Sequence, residues 1–196
     1  AYDLFLQART LYQSRTQLDT VIELLNRAIE QDPQFAQAMA LRAGTTNLLD
    51  EYGYSDRPSE SLGAEAITLA NEALAIDPDN ATAIAVRANA RMQLIRRYEG
   101  SDDIADILSE FNRALAINPR DGSALNWRGL AYMHLGYLQE GLEDFQRCLE
   151  FEPLYAPCVE NIFDTLYGLG RSDEALAAYR YSLESGLMTP QWTSFG

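Results

Sequence analysis

Four segments of this chain close on the same wording. They read AIEQDP (Ala28 to Pro33), ALAIDP (Ala73 to Pro78), ALAINP (Ala114 to Pro119) and CLEFEP (Cys148 to Pro153). Each is the end of an apolar run with helical period. Each stops on a proline, which cannot continue a helix because it lacks the amide donor and collides with the preceding turn. After every proline another helical pattern opens: FAQAMALRAG, NATAIAVRANA, GSALNWRGLAY and YAPCVENIF. A chain punctuated in this way stacks short helix pairs, because no single pair buries its apolar face alone. The prolines stand 45, 41 and 34 residues apart.

The shortest interval carries the clearest pattern. Gly122 to Tyr155 reads GSALNWRGLAYMHLGYLQEGLEDFQRCLEFEPLY, 34 residues. Leu125, Arg128, Gly129, Tyr132, Gly141, Phe145 and Pro153 fall where the tetratricopeptide repeat (TPR) has its large apolar, apolar, small, aromatic, small, aromatic and proline residues. Arg128 replaces the usual leucine and Gly141 the usual alanine. The stretch resembles one complete repeat. Gly129 is expected to face Gly141, so that the helix axes approach closely. Leu135 and Gly136 end the first helix, with glycine free to turn left-handed.

The resemblance extends along the chain. The two longer intervals are a standard repeat plus about 11 and 7 residues. A fifth unit has Val159, Ile162 and Leu166, then Gly168-Leu169-Gly170, then Ala175 and Tyr179, with Gly186-Leu187 in place of the proline. The first unit places Leu4, Ala8, Leu11, Val21, Leu25 and Ala28 with about one inserted residue. The implied fold is all-α, a right-handed α-α superhelix (TPR solenoid) of about five helix pairs in a single domain, 1–196. Its units are about 1–33, 34–78, 79–119, 120–153 and 154–187, with 188–196 starting a further or capping helix. Helices are expected near 2–14, 17–31, 35–50, 59–76, 80–97, 102–117, 122–135, 138–151, 156–168 and 172–185, and no alternation supports a strand. Thr16, Asn80, Asp102, Asp121 and Ser172 are the N-cap candidates.

The formal net charge is −14, with no basic stripe to release counterions, so a nucleic-acid partner is not expected. Two readings of the charge stand: solubility, or attraction of a basic partner. Arg91, Arg96 and Arg97 suit the dipole at a helix end. No apolar run is long enough to cross a membrane as a helix. The chain opens AYDLFLQAR, directly in a helical pattern, and stops at MTPQWTSFG. It is expected to be an excised or processed piece of something longer.

Both extra stretches fall between the first and second helix of a unit. They are EYGYSDRPSES (Glu51 to Ser61) and a segment centred on RYEGSDD (Arg97 to Asp103). They are either tolerated loop length or a rim on which Tyr52, Tyr54, Arg57 and Tyr98 contribute to recognition. The resemblance also implies a concave groove built from the first helix of each pair. Its candidate binding residues are Arg9, Tyr12, Asn47, Asn89, Met92, Asn126, Met133, His134, Glu160 and Asp164. Amides satisfy peptide groups and methionine adapts to varied side chains. The alternative is that these residues only solvate the surface.

Co-chaperone TPR domains grip a C-terminal carboxylate with lysine, asparagine and arginine. Here Phe5, Arg9, Thr82 and Val86 stand at such places, so the resemblance does not extend to that clamp. No enzyme is expected: His134 is the sole histidine, and no phosphate loop, nucleophile elbow or metal-ligand spacing accompanies it. No catalytic residue, cofactor or metal is assigned. Cys148 and Cys158, ten positions apart, are either two buried thiols or a disulfide.

AYDLFLQARTLYQSRT and AIEQDPQFAQAMALRA resemble TPR modules of bacterial regulators of transcription and signalling, which follow a winged-helix or nucleotide cyclase domain. The implied function is a non-catalytic protein- or peptide-binding module serving as the sensory or interaction domain of such a regulator. The alternative is a scaffold for self-association. The resemblance leaves localisation open between bacterial cytoplasm and periplasm, the latter if the cysteines are paired.

Overall fold

The computed structural model describes residues 1–49, 51–98 and 103–186. Ten α-helices run through them, and no strand does: α1 (Tyr2–Gln13), α2 (Leu18–Gln31), α3 (Ala36–Leu48), α4 (Ser59–Ile76), α5 (Ala81–Tyr98), α6 (Ile104–Ile117), α7 (Gly122–His134), α8 (Leu138–Phe151), α9 (Ala156–Gly168) and α10 (Ser172–Glu184). The fold is an all-α helical repeat. Consecutive helices pair into hairpins. The chain forms two compact units, Ala1–Pro119 with α1 to α6 and a second from Arg120 onward with α7 to α10. The division falls directly after a closing proline.

In the first unit, α2 packs on α3, α4 on α5, and α3 directly on α5. Alanine makes this possible. Ala36, Ala38, Ala40 and Ala43 on α3 and Ala83, Ala85, Ala88 and Ala90 on α5 are all buried, and Ala40, Ala73 and Ala83 share one cluster. Short side chains let axes close up, and Leu62, Ile84, Ile107 and Phe111 fill what remains.

The second unit brings Gly141 against Gly129, as expected, and adds Phe145 to the contact. The open side of Gly129 is taken by Phe145, whose ring stands 2.6 Å from where a Cβ would be. Gly141 meets the backbone carbonyl of Gly129 at 2.8 Å from its own open position. Gly141 thus admits the backbone of Gly129, and Gly129 in turn admits the Phe145 ring. In the last hairpin Phe163 replaces Gly129 and Tyr179 replaces Phe145, and the two rings pack 5.7 Å apart.

Helix starts follow local chemistry. Asn80 Oδ1 accepts from Ala83 N and Asp121 Oδ1 from Ala124 N, each at 3.0 Å. Asp103 caps α6, accepting from Ala105 N at 2.8 Å; Asp102 lies outside the described residues. Thr16 does not cap α2. Gln17 holds that place with φ 52°, while Thr16 Oγ1 bonds Ser14 Oγ. Ser172 is already inside α10, whose cap is Arg171, forked onto Glu174 at 2.7 and 2.6 Å. Gly136 ends α7 at φ 85°, a left-handed conformation that favours glycine.

Arg128, the departure from the repeat pattern, has a built partner. Its Nε and Nη2 donate to Asp144 Oδ2 and Oδ1 at 2.7 and 2.6 Å. The two side chains are only 16% and 7% exposed. Burial acts to lower the Arg128 pKa, but the hydrogen bonds and charge of Asp144 outweigh it and the net shift is upward. Asp144 stands nine residues before Pro153. The same offset from Pro119 gives Glu110, which takes Arg87 at 2.9 Å and Arg91 at 3.0 Å. From Pro78 it gives Leu69. The arginine at the matching place, Arg42, has a buried Nε with no hydrogen-bond partner.

Replacing these arginines by the leucine of the pattern should have opposite effects. Arg128→Leu strands a buried carboxylate and should cost about 3 kcal/mol, with Asp144→Leu restoring most of it. Arg42→Leu removes an unpaired donor and should gain about 1 kcal/mol. Urea unfolding followed by circular dichroism measures both. Equal losses at the two sites would contradict the pairing described.

Candidate functional site

The first helices of the hairpins carry the candidate site, and each unit has its own part. In the first unit Arg9 is exposed, its guanidinium 5.9 Å from the Phe5 ring centroid. Phe5 packs on Phe35 at 5.1 Å, and exposed Tyr2 lies 6.2 Å from Phe5 and 6.4 Å from Phe35. Tyr12 is buried. Its hydroxyl lies 3.0 Å from the open side of Gly44, and the Arg15 guanidinium covers its ring at 4.3 Å. Asn47, Asn89 and Met92 are also buried. Of the five candidates in this unit, Arg9 alone is exposed. The reason is local: α3 presents Ala40 and Gly44 toward this face, and neighbouring side chains close over them.

The inserted stretch after α3 is engaged internally. Tyr54 Oη accepts from the backbone N–H of Gln17 at 2.9 Å, and Arg57 Nη2 donates to Glu65 at 2.7 Å and Ser61 at 3.1 Å. The side chain of Tyr98 and residues 99–102 of the second insertion lie outside the described residues.

In the second unit Asn126 is buried, and its Oδ1 accepts from Asn161 Nδ2 at 2.8 Å. Thr165 Oγ1 donates to the Asn161 carbonyl at 2.6 Å and stands 3.5 Å from Met133 Sδ. Asn161 was not among the sequence candidates. His134 is exposed, with Nδ1 2.5 Å from the Leu130 carbonyl of its own helix. Glu160 is half-buried. Asp164 stands at the surface, yet lost hydration raises its carboxyl pKa above the usual aspartate value. Cys148 and Cys158, both fully buried, are joined by a disulfide with Cα atoms 6.6 Å apart. The bond ties the end of α8 to the start of α9 across the Pro153 turn. Among the described residues no group of three or more His, Cys, Asp or Glu side chains is placed to hold a metal. No described helix is long and apolar enough to cross a membrane.

The family described as tetratricopeptide repeat matches residues 122–155. The chain contains a TPR. Its fold is shared by solved TPR structures. A thermophilic TPR protein of Thermus thermophilus aligns over 93% of this chain and 90% of its own, at 24% identity and TM-score 0.71. YrrB, described as a TPR protein with an unusual peptide-binding site, aligns over 96% and 87%, at 18% identity and TM-score 0.55. The first TPR domain of human RPAP3 covers 69% of this chain and 96% of its own length, at 26% identity and TM-score 0.51. No curated protein matches the sequence.

The second-unit geometry makes two predictions. Asp164 has a folded pKa above its unfolded one, so its contribution to stability falls as pH rises through the folded pKa. Asp164→Asn should therefore raise Tm at neutral pH, with the gain vanishing below the ordinary aspartate range. A Tm difference independent of pH would exclude this. The disulfide should leave no labelled thiol when the protein is unfolded without reductant. Reduction should cost about 2–3 kcal/mol, as expected for a loop this short. Two labelled thiols before reduction would refute the pairing.

Proposed function

We propose that this chain is a non-catalytic protein- or peptide-binding module, the sensory or interaction domain of a larger bacterial regulator. The observation that carries the binding reading is the exposed group Tyr2 and Arg9 around Phe5 and Phe35 on the first-helix face. Tyrosine and arginine on a rigid apolar base are the residue types that dominate interface energies. The peptide site named for YrrB supports a peptide as the ligand class. The regulator context rests on the wording of Ala1 to Thr16 and Ala28 to Ala43.

An array of overlapping peptides probed with the labelled chain tests this. Selective, saturable spots are expected, and Tyr2→Ala with Arg9→Glu should weaken them by about tenfold or more. Both side chains are exposed, so Tm should hold. Binding indifferent to both substitutions would remove the face from consideration.

A specific observation favours self-association as the second reading. Leu142 is fully buried, whereas Leu176, its counterpart 34 residues later, is 46% exposed on α10, a helix that also carries exposed Tyr181. Light scattering decides: a mass independent of concentration at one protomer rejects it.

A further inference from the structure

One place on the first helix of each hairpin stands opposite one place on the second. Arg128 reaches Asp144, 16 residues later, and Arg87 reaches Glu110, 23 residues later. The second separation is longer by about the length of the second insertion. Leu69 follows Arg42 by 27 residues, longer again in keeping with the first insertion, and α3 packs on α4. Leu69 therefore holds the place opposite Arg42.

The two places change together in the rest of the chain. The first repeat has Gln7 with Leu24 and the fifth has Ile162 with Ala178, so both lack the arginine and the acid. The second repeat alone keeps the arginine without its acid. Arg42 is half-buried, and its Nε is buried with no hydrogen-bond partner. Glu65, one turn before Leu69 on α4, is already held by Arg57 at 2.7 Å. A buried donor without an acceptor destabilises the fold, so an arginine kept here needs a use outside in-chain pairing. It also stands off the row of groove candidates. Five residues separate it from Asn47, which is about 140° around the helix.

We propose that Arg42 is the docking point for one Asp or Glu side chain of a partner segment. The partner's carboxylate does for Arg42 what Asp144 does for Arg128, accepting charge-assisted hydrogen bonds from the guanidinium. Nε is covered, which leaves the Nη groups to receive it. The net charge of −14 repels a run of acids. The fitting segment therefore carries a single acid among neutral or basic residues. The inference rests on the peptide-binding reading above and adds the residue type that such a peptide must carry.

The test uses an array of overlapping peptides blocked at both ends, so that no terminal carboxylate is present. Peptides that bind are remade with Gln for Glu or Asn for Asp. Binding should fall about tenfold or more, the worth of one charge-assisted pair. Arg42→Leu removes the docking group together with the unpaired donor. It should lose the same affinity while Tm holds or rises. Leu69→Glu supplies the acid from within and should block the site with the arginine still present. In both variants the acid and amide peptides should bind alike; if Leu69→Glu fails to fold, Arg42→Leu decides. Sodium acetate, set against chloride at matched ionic strength, probes the site directly. The Arg42 Nε–H signal in nitrogen–proton correlation spectra, assigned through Arg42→Leu, should shift saturably, while those of Arg87 and Arg128 should not. Spots indifferent to the acid-to-amide change, or full discrimination in Arg42→Leu, would overturn the proposal and leave peptide binding standing. So would an equal response of all three arginines to acetate, or spots that need a free C-terminus. An array on which no peptide binds overturns both readings.

Discussion

A helix pair of this length cannot bury its apolar face alone, so everything here depends on how closely successive helices approach. Small side chains set that distance: the alanines of α3 and α5 in the first unit, Gly129 and Gly141 in the second. Close approach has a consequence for polar groups. Little room remains for water between the helices, so a polar side chain inside must find its partner within the protein. Arg128 with Asp144, Arg87 with Glu110, and Asn126 with Asn161 obey this. Arg42, Asn47 and Asn89 do not, and all three lie on α3 or α5. The unit with the most alanine packing also holds the unmatched donors.

Helices were legible because their punctuation is local. Proline stops, the left-handed glycine after α7 and the caps at Asn80 and Asp121 act within one turn, and the expected helix ends agree with the structure within two residues. Partnerships between helices were less legible. Arg128 stood out as an oddity, but its partner lies sixteen residues away on another helix. The signal existed in the repeat itself, as an acidic residue nine positions before the closing proline, present at Glu110 and Asp144 and replaced by leucine at Leu24 and Leu69. The exposure of the candidate binding residues was least legible. Repeat numbering says which residues sit on the first-helix face, not whether they reach solvent. Tyr12 leans across Gly44, and Asn47, Asn89 and Met92 are buried although the numbering places them on that face. For the cysteines, sequence spacing was equally compatible with thiols and a disulfide, because helix packing decides whether the sulfurs meet.

The first insertion belongs to the same account. The turn between α1 and α2 contains Arg15 at φ 54° and Gln17 at φ 52°, left-handed conformations that non-glycine residues adopt at a cost of about 1–3 kcal/mol when held in place. Arg15 covers the Tyr12 ring, and the backbone N–H of Gln17 donates to Tyr54, which the inserted stretch supplies. A standard-length repeat would lack that acceptor. The added residues therefore brace the turn whose arginine stacks on Tyr12, next to Gly44. Where the chain departs from its own repeat, by added length at Tyr54, by Leu69 for an acidic residue and by amides on α3 and α5, the departures gather in one unit. A face assembled from such departures has chemistry that the shared repeat cannot supply, and specificity in a repeat protein has to come from what its repeats do not share.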